Sequence, residues 1–299
     1  MLGALRGLPL HLLSRAAGAC AGLRLPSPLQ RAQIRLFGRL VGVDFGEVGD
    51  PIEAFPSLQA FFTRRLADGA RPIEPDPEAI VAPCDGAWGA AGTVRRGMLL
   101  QVKGRPYSLG ALLGSDADAA AFEGGCFATF YLSPRDYHRF HAPCDARVIR
   151  ARYIPGALWP VNELGVQGVE GLFAQNERIC AFMQVERDGI SSSLCVVAVG
   201  ATLVGKVRLR FDDLSTGVRG GSAERAYPGA GHALAKGEEW GRFEFGSSLI
   251  LVAAPGLIHL DAQPHGAVLR LGTRIGSAPA PRAPSERSRG APGDSSTED

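Results

Sequence analysis

The sequence lacks the cysteine spacing of a disulfide framework or a structural zinc site. Its six cysteines are scattered along 299 residues, and no two of them form a C-x-x-C pair. It also lacks an apolar run long enough to span a bilayer, because the longest uncharged stretch, Gly189 to Gly205, is short and rich in Ser and Gly. We therefore expect free thiols in a reducing compartment, no transmembrane helix, and two buried strands within this stretch.

Acidic residues are missing from the start of the chain. Asp44 is the first of them, whereas six arginines precede it, namely Arg6, Arg15, Arg24, Arg31, Arg35 and Arg39. The remainder of the chain is mildly acidic, so the protein combines an acidic body with a basic, apolar arm. Such an arm suits an anionic membrane surface. An organellar transit peptide has the same composition and is the second interpretation.

The basic arm contains the pattern of an amphipathic helix. Ser27 and Pro28 predict its start, with Ser27 as the N-cap and Pro28 at the first helical position. Arginines recur every four residues from Arg31. The apolar residues of the segment are Leu29, Ile34, Leu36, Phe37, Leu40 and Val41. This apolar face suits either the protein's own core or the headgroup layer of a membrane.

The rest of the chain has the composition and spacing of a turn-rich β protein. Its 39 glycines and 21 prolines disfavour a helical bundle, although a short second helix is predicted after Ser57. From about Ile80 onward, short apolar or alternating runs predict strands at 127–132, 148–154, 179–185, 194–199, 202–211 and 248–253. The predicted fold is α+β and mainly β, with an antiparallel β-rich body and N-terminal amphipathic helices.

These patterns divide the chain into three regions. Residues 1–70 are expected to form a basic, amphipathic helical region that associates with membranes, and residues 71–276 the β-rich body. Residues 277–299 contain prolines, serines and charges of both signs but no aromatic or large aliphatic residue. Because such a segment buries too little surface to order itself, we expect a disordered tail.

The densest polar cluster occupies residues 133–143 and contains His138 and His141, two of only six histidines. Its simplest interpretation is a surface turn with incidental histidines. The H-x-x-H spacing also permits a metal site, but no third ligand stands out in the sequence, so we expect no bound metal.

Three further clusters are unremarkable when each is considered alone. Asp85 lies in a P-C-D-G turn sequence, residues 176–178 read N-E-R before a predicted strand, and residues 236–248 lead through several glycines to Ser247. Together with the histidine block, these clusters resemble the phosphatidylserine decarboxylase family, a group of self-cleaving, pyruvoyl-dependent enzymes. The resemblance is specific because D-Y-H-R-x-H and K-G-x-E-x-G-x-F-x-x-G-S blocks rarely coincide by chance.

The resemblance runs from about Phe55 to Leu271 in the expected order and includes a G-A-T-x-V-G strand at residues 200–205. It implies that Asp85, His141 and Ser247 form the self-processing triad, and that His138 acts in decarboxylation. It also places a loop near the substrate headgroup, with residues Trp159, Val161 and Asn162.

The cleavage motif departs from the family's L-G-S-T and appears as Phe245-Gly246-Ser247-Ser248. The bond between Gly246 and Ser247 is kept, so we expect cleavage into chains 1–246 and 247–299. These chains would remain together as a heterodimer, which could dimerise further.

Decarboxylation requires an electron sink that no side chain supplies. The resemblance implies that this sink is a covalent pyruvoyl group, the cofactor pyruvate, made from Ser247. Its formation would begin when the Ser247 hydroxyl attacks the Gly246 carbonyl, with His141 as the base and Asp85 holding the imidazole. A ketone formed there could condense with the amine of a serine headgroup.

The expected activity is conversion of phosphatidylserine, held in an anionic membrane, to phosphatidylethanolamine and CO2. The protein would be peripheral, on the cytoplasmic face of the cell membrane, with no nucleic-acid partner. Two alternatives are a lipid-surface binding protein that has lost processing, and a Ser-His-Asp hydrolase built on Ser247, His141 and Asp85.

Overall fold

Three helices form the N-terminal part of the molecule in the computed structural model, which describes residues 10–100, 105–202, 206–217, 221–244 and 247–279. They are α1 (Leu10–Gly22), α2 (Ser27–Val41) and α3 (Leu58–Phe62), with two 3-10 turns at Phe45–Glu47 and Ile52–Ala54. Ser57 caps α3 as predicted, because its hydroxyl accepts a hydrogen bond from the backbone N–H of Ala60 at 3.1 Å.

Helix α2 is present where the sequence predicts it, but its cap differs. Pro26 is the N-cap, so Ser27 and Pro28 are the first two helical residues and no side chain caps the helix. Proline is well tolerated in a first helical turn because the backbone N–H groups there have no helical acceptor. The helix ends at Gly42, whose φ of 84° is the left-handed conformation typical of a helix C-terminus.

The apolar residues of α2 divide between two environments. Ile34 is fully buried against Phe61 of α3 in a small core of the helical region. On another side of the helix, three leucines remain exposed, namely Leu29, Leu36 and Leu40. The interpretation that the apolar face packs on the protein's own core is therefore confirmed for one side of the helix, while the membrane interpretation stays a prediction for the exposed leucines.

The remainder of the chain is mostly strand. The strands are β1 (Ala79–Val81), β2 (Gly86–Thr93), β3 (Met98–Leu100), β4 (Pro106–Ser108), β5 (Cys126–Leu132), β6 (Arg139–His141), β7 (Ala146–Ile154), β8 (Arg178–Arg187), β9 (Ile190–Val199), β10 (Val207–Leu209), β11 (Ala223–Ala226), β12 (His232–Leu234), β13 (Glu239–Phe243), β14 (Ser247–Ala253), β15 (His259–Leu260), β16 (Val268–Leu269) and β17 (Arg274–Ser277). Four short helices interrupt them, α4 (Leu109–Leu113), α5 (Asp116–Ala120), α6 (Glu163–Gly168) and α7 (Leu172–Gln175).

A nine-stranded antiparallel sheet forms the centre of the body. Its order is β11-β7-β8-β9-β14-β5-β2-β16, and β12 also pairs with β7. A smaller sheet, β10-β13-β6, contributes Phe140, Trp240 and Phe243 to the core on one face of the central sheet. Helices α4 and α7 contribute Leu112 and Leu172 to the core on the other face. With apolar cover on both faces, β14 is buried along its whole length.

The predicted fold class is confirmed, and most predicted strands occur within two or three residues of their expected limits. The stretch Gly189 to Gly205 differs, because its described part holds one long strand, β9, followed by a turn. The segment 202–211 contains only the three-residue strand β10 among its described residues. Both differences arise because strand length depends on the partner strand that supplies hydrogen bonds.

The end of the ordered body lies slightly beyond the expected boundary. Strand β17 includes Ser277, and Ala278 is buried and donates its backbone N–H to the Glu78 carbonyl at 2.8 Å. Most of the predicted tail, residues 280–299, lies outside the described residues. Among the described helices, none combines the length and the hydropathy needed to cross a bilayer.

Gly86, at the start of β2, generates a testable prediction about the fold. Its φ is +152°, and a Cβ there would lie 2.5 Å from the carbonyl oxygen of Tyr131 in the buried strand β5. Gly86→Ala should therefore lower the free energy of unfolding by about 2–4 kcal/mol in urea titrations. Gly189→Ala is the control, because that glycine has φ +74° and open space around it, so only about 1–2 kcal/mol should be lost. Equal losses for the two variants would contradict the steric explanation.

Candidate active site

Neighbouring strands of the central sheet begin or end at one edge, and this edge brings the sequence motifs together. Ser247 opens β14 opposite Leu132, the last residue of β5. On its other side β14 pairs with β9, whose last residue, Val199, faces Arg178 at the start of β8. On the far side of β5, β2 begins directly after Asp85 and pairs Ala87 with the residue before Leu132. The loops that leave this edge therefore form a single surface.

The histidine block runs beside the segment that precedes Ser247. Ser247 pairs with Leu132, just before the histidine block. Four residues earlier in the chain, the backbone N–H of Phe243 donates to the carbonyl of His138 at 2.9 Å. Residues 133–137 therefore connect the partner of Ser247 to the partner of Phe243. Phe245 and Gly246 are outside the described residues, so the expected cleavage bond is not described.

Ser247 and Ser248 point to opposite faces of the sheet because side chains alternate along a regular strand. Ser247 shares a face with Leu249 and Leu251, which pack in the same core as Phe140. Ser248 shares the other face with Ile250. The hydroxyls of both serines are buried and have no hydrogen-bond partner in the described part of the chain. A buried hydroxyl without a partner is costly, and such groups are concentrated at functional sites.

Asp85 is held by an arginine that sequence reasoning did not single out. The Arg71 guanidinium donates from Nε to Oδ1 (2.8 Å) and from Nη2 to Oδ2 (2.6 Å) of Asp85. The backbone N–H of Leu271 also donates to Oδ1 at 2.8 Å. Arg71 forms a second ion pair with Glu47 at 2.8 Å, so a chain of charges links the helical region to the site. Arg71 and Asp85 each lower the free-energy cost of burying the other's charge.

His141 follows Phe140 at the end of β6, and its backbone N–H donates to the Pro83 carbonyl at 2.7 Å. Its Nδ1 lies 2.9 Å from the Gly237 carbonyl oxygen, which only accepts, so Nδ1 holds the proton. Nε2 therefore has the lone pair, and it accepts from the Tyr137 hydroxyl at 3.3 Å. Burial lowers the pKa of His141, partly opposed by the bond to Gly237.

The expected hydrogen bond between Asp85 and His141 is therefore absent from the described contacts. Both oxygens of the Asp85 carboxylate are occupied by Arg71, and the Gly237 carbonyl orients the imidazole instead. The carboxylate still acts on the histidine through its charge, which raises the pKa of His141 against the effect of burial. The P-C-D-G turn and the histidine block lie together, but their connection is electrostatic and through the backbone.

His138 is fully buried, and its ring lies against Phe62 of α3 with 4.1 Å between ring centroids. Nδ1 is 2.8 Å from the Asp136 carbonyl oxygen, so Nδ1 is protonated and Nε2 has the lone pair. Burial, together with the nearby positive charge of Arg64, lowers the pKa of His138 to about 3, against the opposing effect of the hydrogen bond to Asp136. The Nε2 atom is buried and has no hydrogen-bond partner within the described ranges.

The N-E-R block fastens the loop that was expected near the headgroup. The Asn176 side chain accepts from the backbone N–H of Trp159 and donates to the carbonyls of Trp159 and Gly200, each at 2.8 Å. Val161 is buried in the core on the face opposite to Ser247, and Asn162 caps α6 through its side chain. This loop borders the edge of the sheet that carries Ser247, with Trp159 half-buried.

Helix α3 and the residues after it form one wall of the site, which the sequence pattern did not reveal. The Gln59 side chain donates to Glu244 at 2.9 Å, three residues before Ser247. Arg139 donates to the Thr63 carbonyl at 2.8 Å and forms an ion pair with Glu239 at 2.9 Å. No sequence signal distinguishes these residues, because their partners lie far away in the chain.

The described residues contain no group of three His, Cys, Asp or Glu side chains that could hold a metal ion. The two histidines of the H-x-x-H pattern each bond a different backbone carbonyl through Nδ1, that of Asp136 and that of Gly237. A group built from Ser247 fits the site better, because neither the buried Ser247 hydroxyl nor the His138 Nε2 has a partner among the residues that the structure describes.

Comparison with known proteins gives a consistent result. Residues 58–277 match the family model described as phosphatidylserine decarboxylase. A phosphatidylserine decarboxylase proenzyme of Anaeromyxobacter sp. (strain K) is 41% identical over 280 residues, which is 93% of this chain and 98% of the relative. Proteins of the same name from Myxococcus xanthus (strain DK1622) and Herminiimonas arsenicoxydans are 38% and 41% identical, covering 90% and 82% of this chain and 95% and 82% of the relatives.

The burial of His138 generates a prediction about pH. Its pKa is about 3 in the folded protein and about 6.5 in an unfolded chain, so acid favours unfolding in this interval. Between pH 7 and pH 5, the stability advantage of the wild type over His138→Phe should fall by about 2 kcal/mol in urea titrations. His141 and Asp136 titrate in both proteins, so their contributions cancel. Nitrogen NMR should show the His138 ring neutral at pH 5, and a protonated ring would contradict the prediction.

Proposed function

The chain belongs to the phosphatidylserine decarboxylase family, and from this premise we propose that it cuts itself and then converts phosphatidylserine to phosphatidylethanolamine and CO2. The chain is accordingly a carboxy-lyase of this family. The observation that supports the proposal best is the buried, unpartnered hydroxyl of Ser247 at the sheet edge shared by Asp85, His138 and His141. Ser248 has an equally buried, unpartnered hydroxyl on the opposite face of β14, so Ser247 is distinguished by its place as the first residue of the strand, on the face that packs with Phe140.

Self-cleavage would begin at the Ser247 hydroxyl. Its oxygen attacks the carbonyl carbon of Gly246 while a base takes the hydroxyl proton, and the peptide C–N bond breaks as an ester forms. Removal of the Cα proton of residue 247 then expels the Gly246 carboxylate and divides the chain. Addition of water to the remaining dehydroalanine releases ammonia and leaves a pyruvoyl group. The products are the chains 1–246 and 247–299, which stay associated because β14 is buried between β5 and β9.

His141 is suited to act as the base in this step. Its Nδ1–H is fixed by the Gly237 carbonyl, so the free lone pair is on Nε2 and the imidazole is neutral at physiological pH. The bond from Tyr137 to Nε2 is long, at 3.3 Å, so the Ser247 hydroxyl can replace it at low cost. Asp85 would stabilise the imidazolium by its charge, while Arg71 holds the carboxylate in place.

The pyruvoyl group supplies the electron sink that decarboxylation requires. His138 would handle the proton. The headgroup ammonium must lose a proton before its nitrogen can react. Negative charge of the bound substrate beside His138 would raise the pKa of this imidazole, so that Nε2, which has no partner among the described residues, can take up the proton. The same Nε2–H can then return the proton to the α-carbon after CO2 leaves. Phe62 excludes water from this imidazole, and a dry site favours loss of CO2 from a carboxylate.

Helix α2 provides a surface for peripheral membrane attachment. Its exposed leucines, Leu29, Leu36 and Leu40, would enter the headgroup region. Arg24, Arg35 and Arg39 are exposed near them, and each cation adds about 1 kcal/mol of attraction to an anionic leaflet. We assign this surface to the cytoplasmic face of the cell membrane. A substrate that stays in the leaflet then meets the site through the wall formed by α3.

Ser247→Ala tests the self-cleavage directly. Intact-mass measurement of the wild type should show two chains, 1–246 and 247–299, with a keto group in place of an amine at position 247. Ser247→Ala should remain one chain without decarboxylase activity, because it has no oxygen to attack Gly246. Ser248→Ala is the matched control, since its hydroxyl is equally buried but faces the other side of the sheet, and it should be cleaved.

The alternatives give different outcomes in the same measurements. A hydrolase built on Ser247 would remain a single chain and react with a serine-directed phosphonate. A lipid-surface binding protein would also remain a single chain but would not react. Either result for an active preparation of the wild type would refute the proposed function, as would resistance of the activity to carbonyl reagents.

The exposed leucines of α2 generate a prediction about membrane binding. The double variant Leu36→Asp/Leu40→Asp should bind vesicles that contain phosphatidylserine at least about tenfold more weakly, because two apolar side chains no longer leave water. Its unfolding free energy should stay within about 0.5 kcal/mol of the wild type, since both leucines are exposed. Ile190→Asp, at the far end of β8 and β9, is the control and should bind normally. Equal losses for both variants would argue against a specific membrane surface.

A further inference from the structure

A small cavity lies between the helical region and the histidine block, next to the site but outside the residues assigned so far. Its volume is about 320 Å³, and its charged lining residues are Arg64, Arg65, Arg139 and the exposed Asp50, with Phe55 and Thr63 beside them. We call it the Arg64 pocket. Two of its arginines have their charges accommodated. Arg139 forms an ion pair with Glu239 at 2.9 Å, and Arg65 is exposed to water.

Arg64 is the unusual member of this lining. It is only 4% exposed, yet its guanidinium makes just one pair of hydrogen bonds, from Nη2 to the carbonyls of Arg135 (2.9 Å) and Asp136 (3.3 Å). Its Nε and Nη1 atoms are buried and have no hydrogen-bond partner in the described part of the chain. Burying a cation whose donors have no acceptors costs free energy, unless an anion accepts their hydrogen bonds and balances the charge. The pocket beside it has room for such an anion, and because Nε and Nη1 are closed to solvent in this conformation, the guanidinium would have to turn toward the pocket to meet it.

Arg64 lies next to His138, the residue proposed to transfer protons in decarboxylation. The Asp136 carbonyl accepts from both the Arg64 guanidinium and the imidazole of His138. The two side chains are therefore neighbours around one oxygen atom. Phe62, two residues before Arg64, packs on the His138 ring, so α3 positions both contacts.

We propose that Arg64 binds the phosphodiester of the substrate headgroup through its free guanidinium nitrogens. This inference rests on the proposed function, because it takes the phospholipid as substrate. The phosphodiester keeps its negative charge from substrate to product, so a fixed cation beside it binds both equally. The carboxylate, in contrast, loses its charge as CO2 leaves, and an arginine bound to it would oppose the reaction. Guanidinium groups are also well matched to phosphate oxygens.

The test has a binding arm that does not depend on the pyruvoyl group. In the uncleaved Ser247→Ala protein, titration with soluble glycerophosphoethanolamine should show binding by calorimetry or phosphorus NMR. Adding Arg64→Gln should weaken this binding by about 10- to 100-fold, the usual effect of losing a charge-assisted hydrogen bond. Adding Arg65→Gln, which removes the same charge from an exposed side chain of the same pocket, should change it less than about threefold. Equal affinity with and without Arg64 would overturn the proposal.

The kinetic arm uses the cleaved enzyme and dispersed phosphatidylserine. Arg64→Gln should raise KM by about 10- to 100-fold and change kcat less than about threefold, because uniform binding is lost. Arg64→Lys keeps the charge and should recover most of the affinity, which also protects the test if the glutamine variant folds poorly. A fall in kcat at unchanged KM would show that Arg64 only positions His138, and would overturn the proposal. Failure of the wild type to cleave itself would refute the proposed function. The binding measurement on the uncleaved Ser247→Ala protein would still test whether Arg64 binds the phosphodiester.

Discussion

The antiparallel pairing of β14 with β5 and β9 is the constraint on which the site depends. All seven residues of β14 are buried, so the register of this strand is strongly specified by its apolar side chains. A slip of one residue would exchange the faces of Ser247 and Ser248 and move the first hydroxyl away from the core that contains Phe140. The same pairing fixes the segment before Ser247 beside the histidine block. Position in the sheet therefore separates the two adjacent serines in the same sense as the motif resemblance, which singles out Ser247.

The helical region is part of the site as well as a surface for attachment. Its core residue Phe61 packs beneath α2, while the next residue, Phe62, packs on His138. Gln59 reaches Glu244 on the segment before Ser247, and Glu47 shares Arg71 with Asp85. The helices proposed to face the membrane are thus one layer of side chains away from the candidate site. A lipid headgroup needs to pass only this layer, which is where the Arg64 pocket lies.

Sequence reasoning located the elements and the motifs but not the contacts between them. Apolar runs and turn residues were enough for the long strands, because local pattern decides those. The partners of Asp85 could not be predicted, since Arg71 belongs to none of the motifs and its contact depends on how the segment between α3 and β1 crosses the body. The contact of Gln59 with Glu244 spans 185 residues and has no local signal. The expected bond between Asp85 and His141 was wrong for the same reason. The imidazole donates instead to the backbone carbonyl of Gly237, which lies just before β13.

In the proposed function one site serves two reactions, and the choice of charged groups suits both. Self-cleavage needs a neutral imidazole to accept a proton, and decarboxylation needs a dry, weakly solvated pocket for an anionic headgroup. Burial satisfies both needs by lowering the pKa values of His138 and His141, so neither ring is a cation at physiological pH. The positive charge for an anionic substrate must then come from groups that do not titrate there. Arginines meet this requirement, and the free donors of Arg64 beside His138 place such a charge where the headgroup would enter.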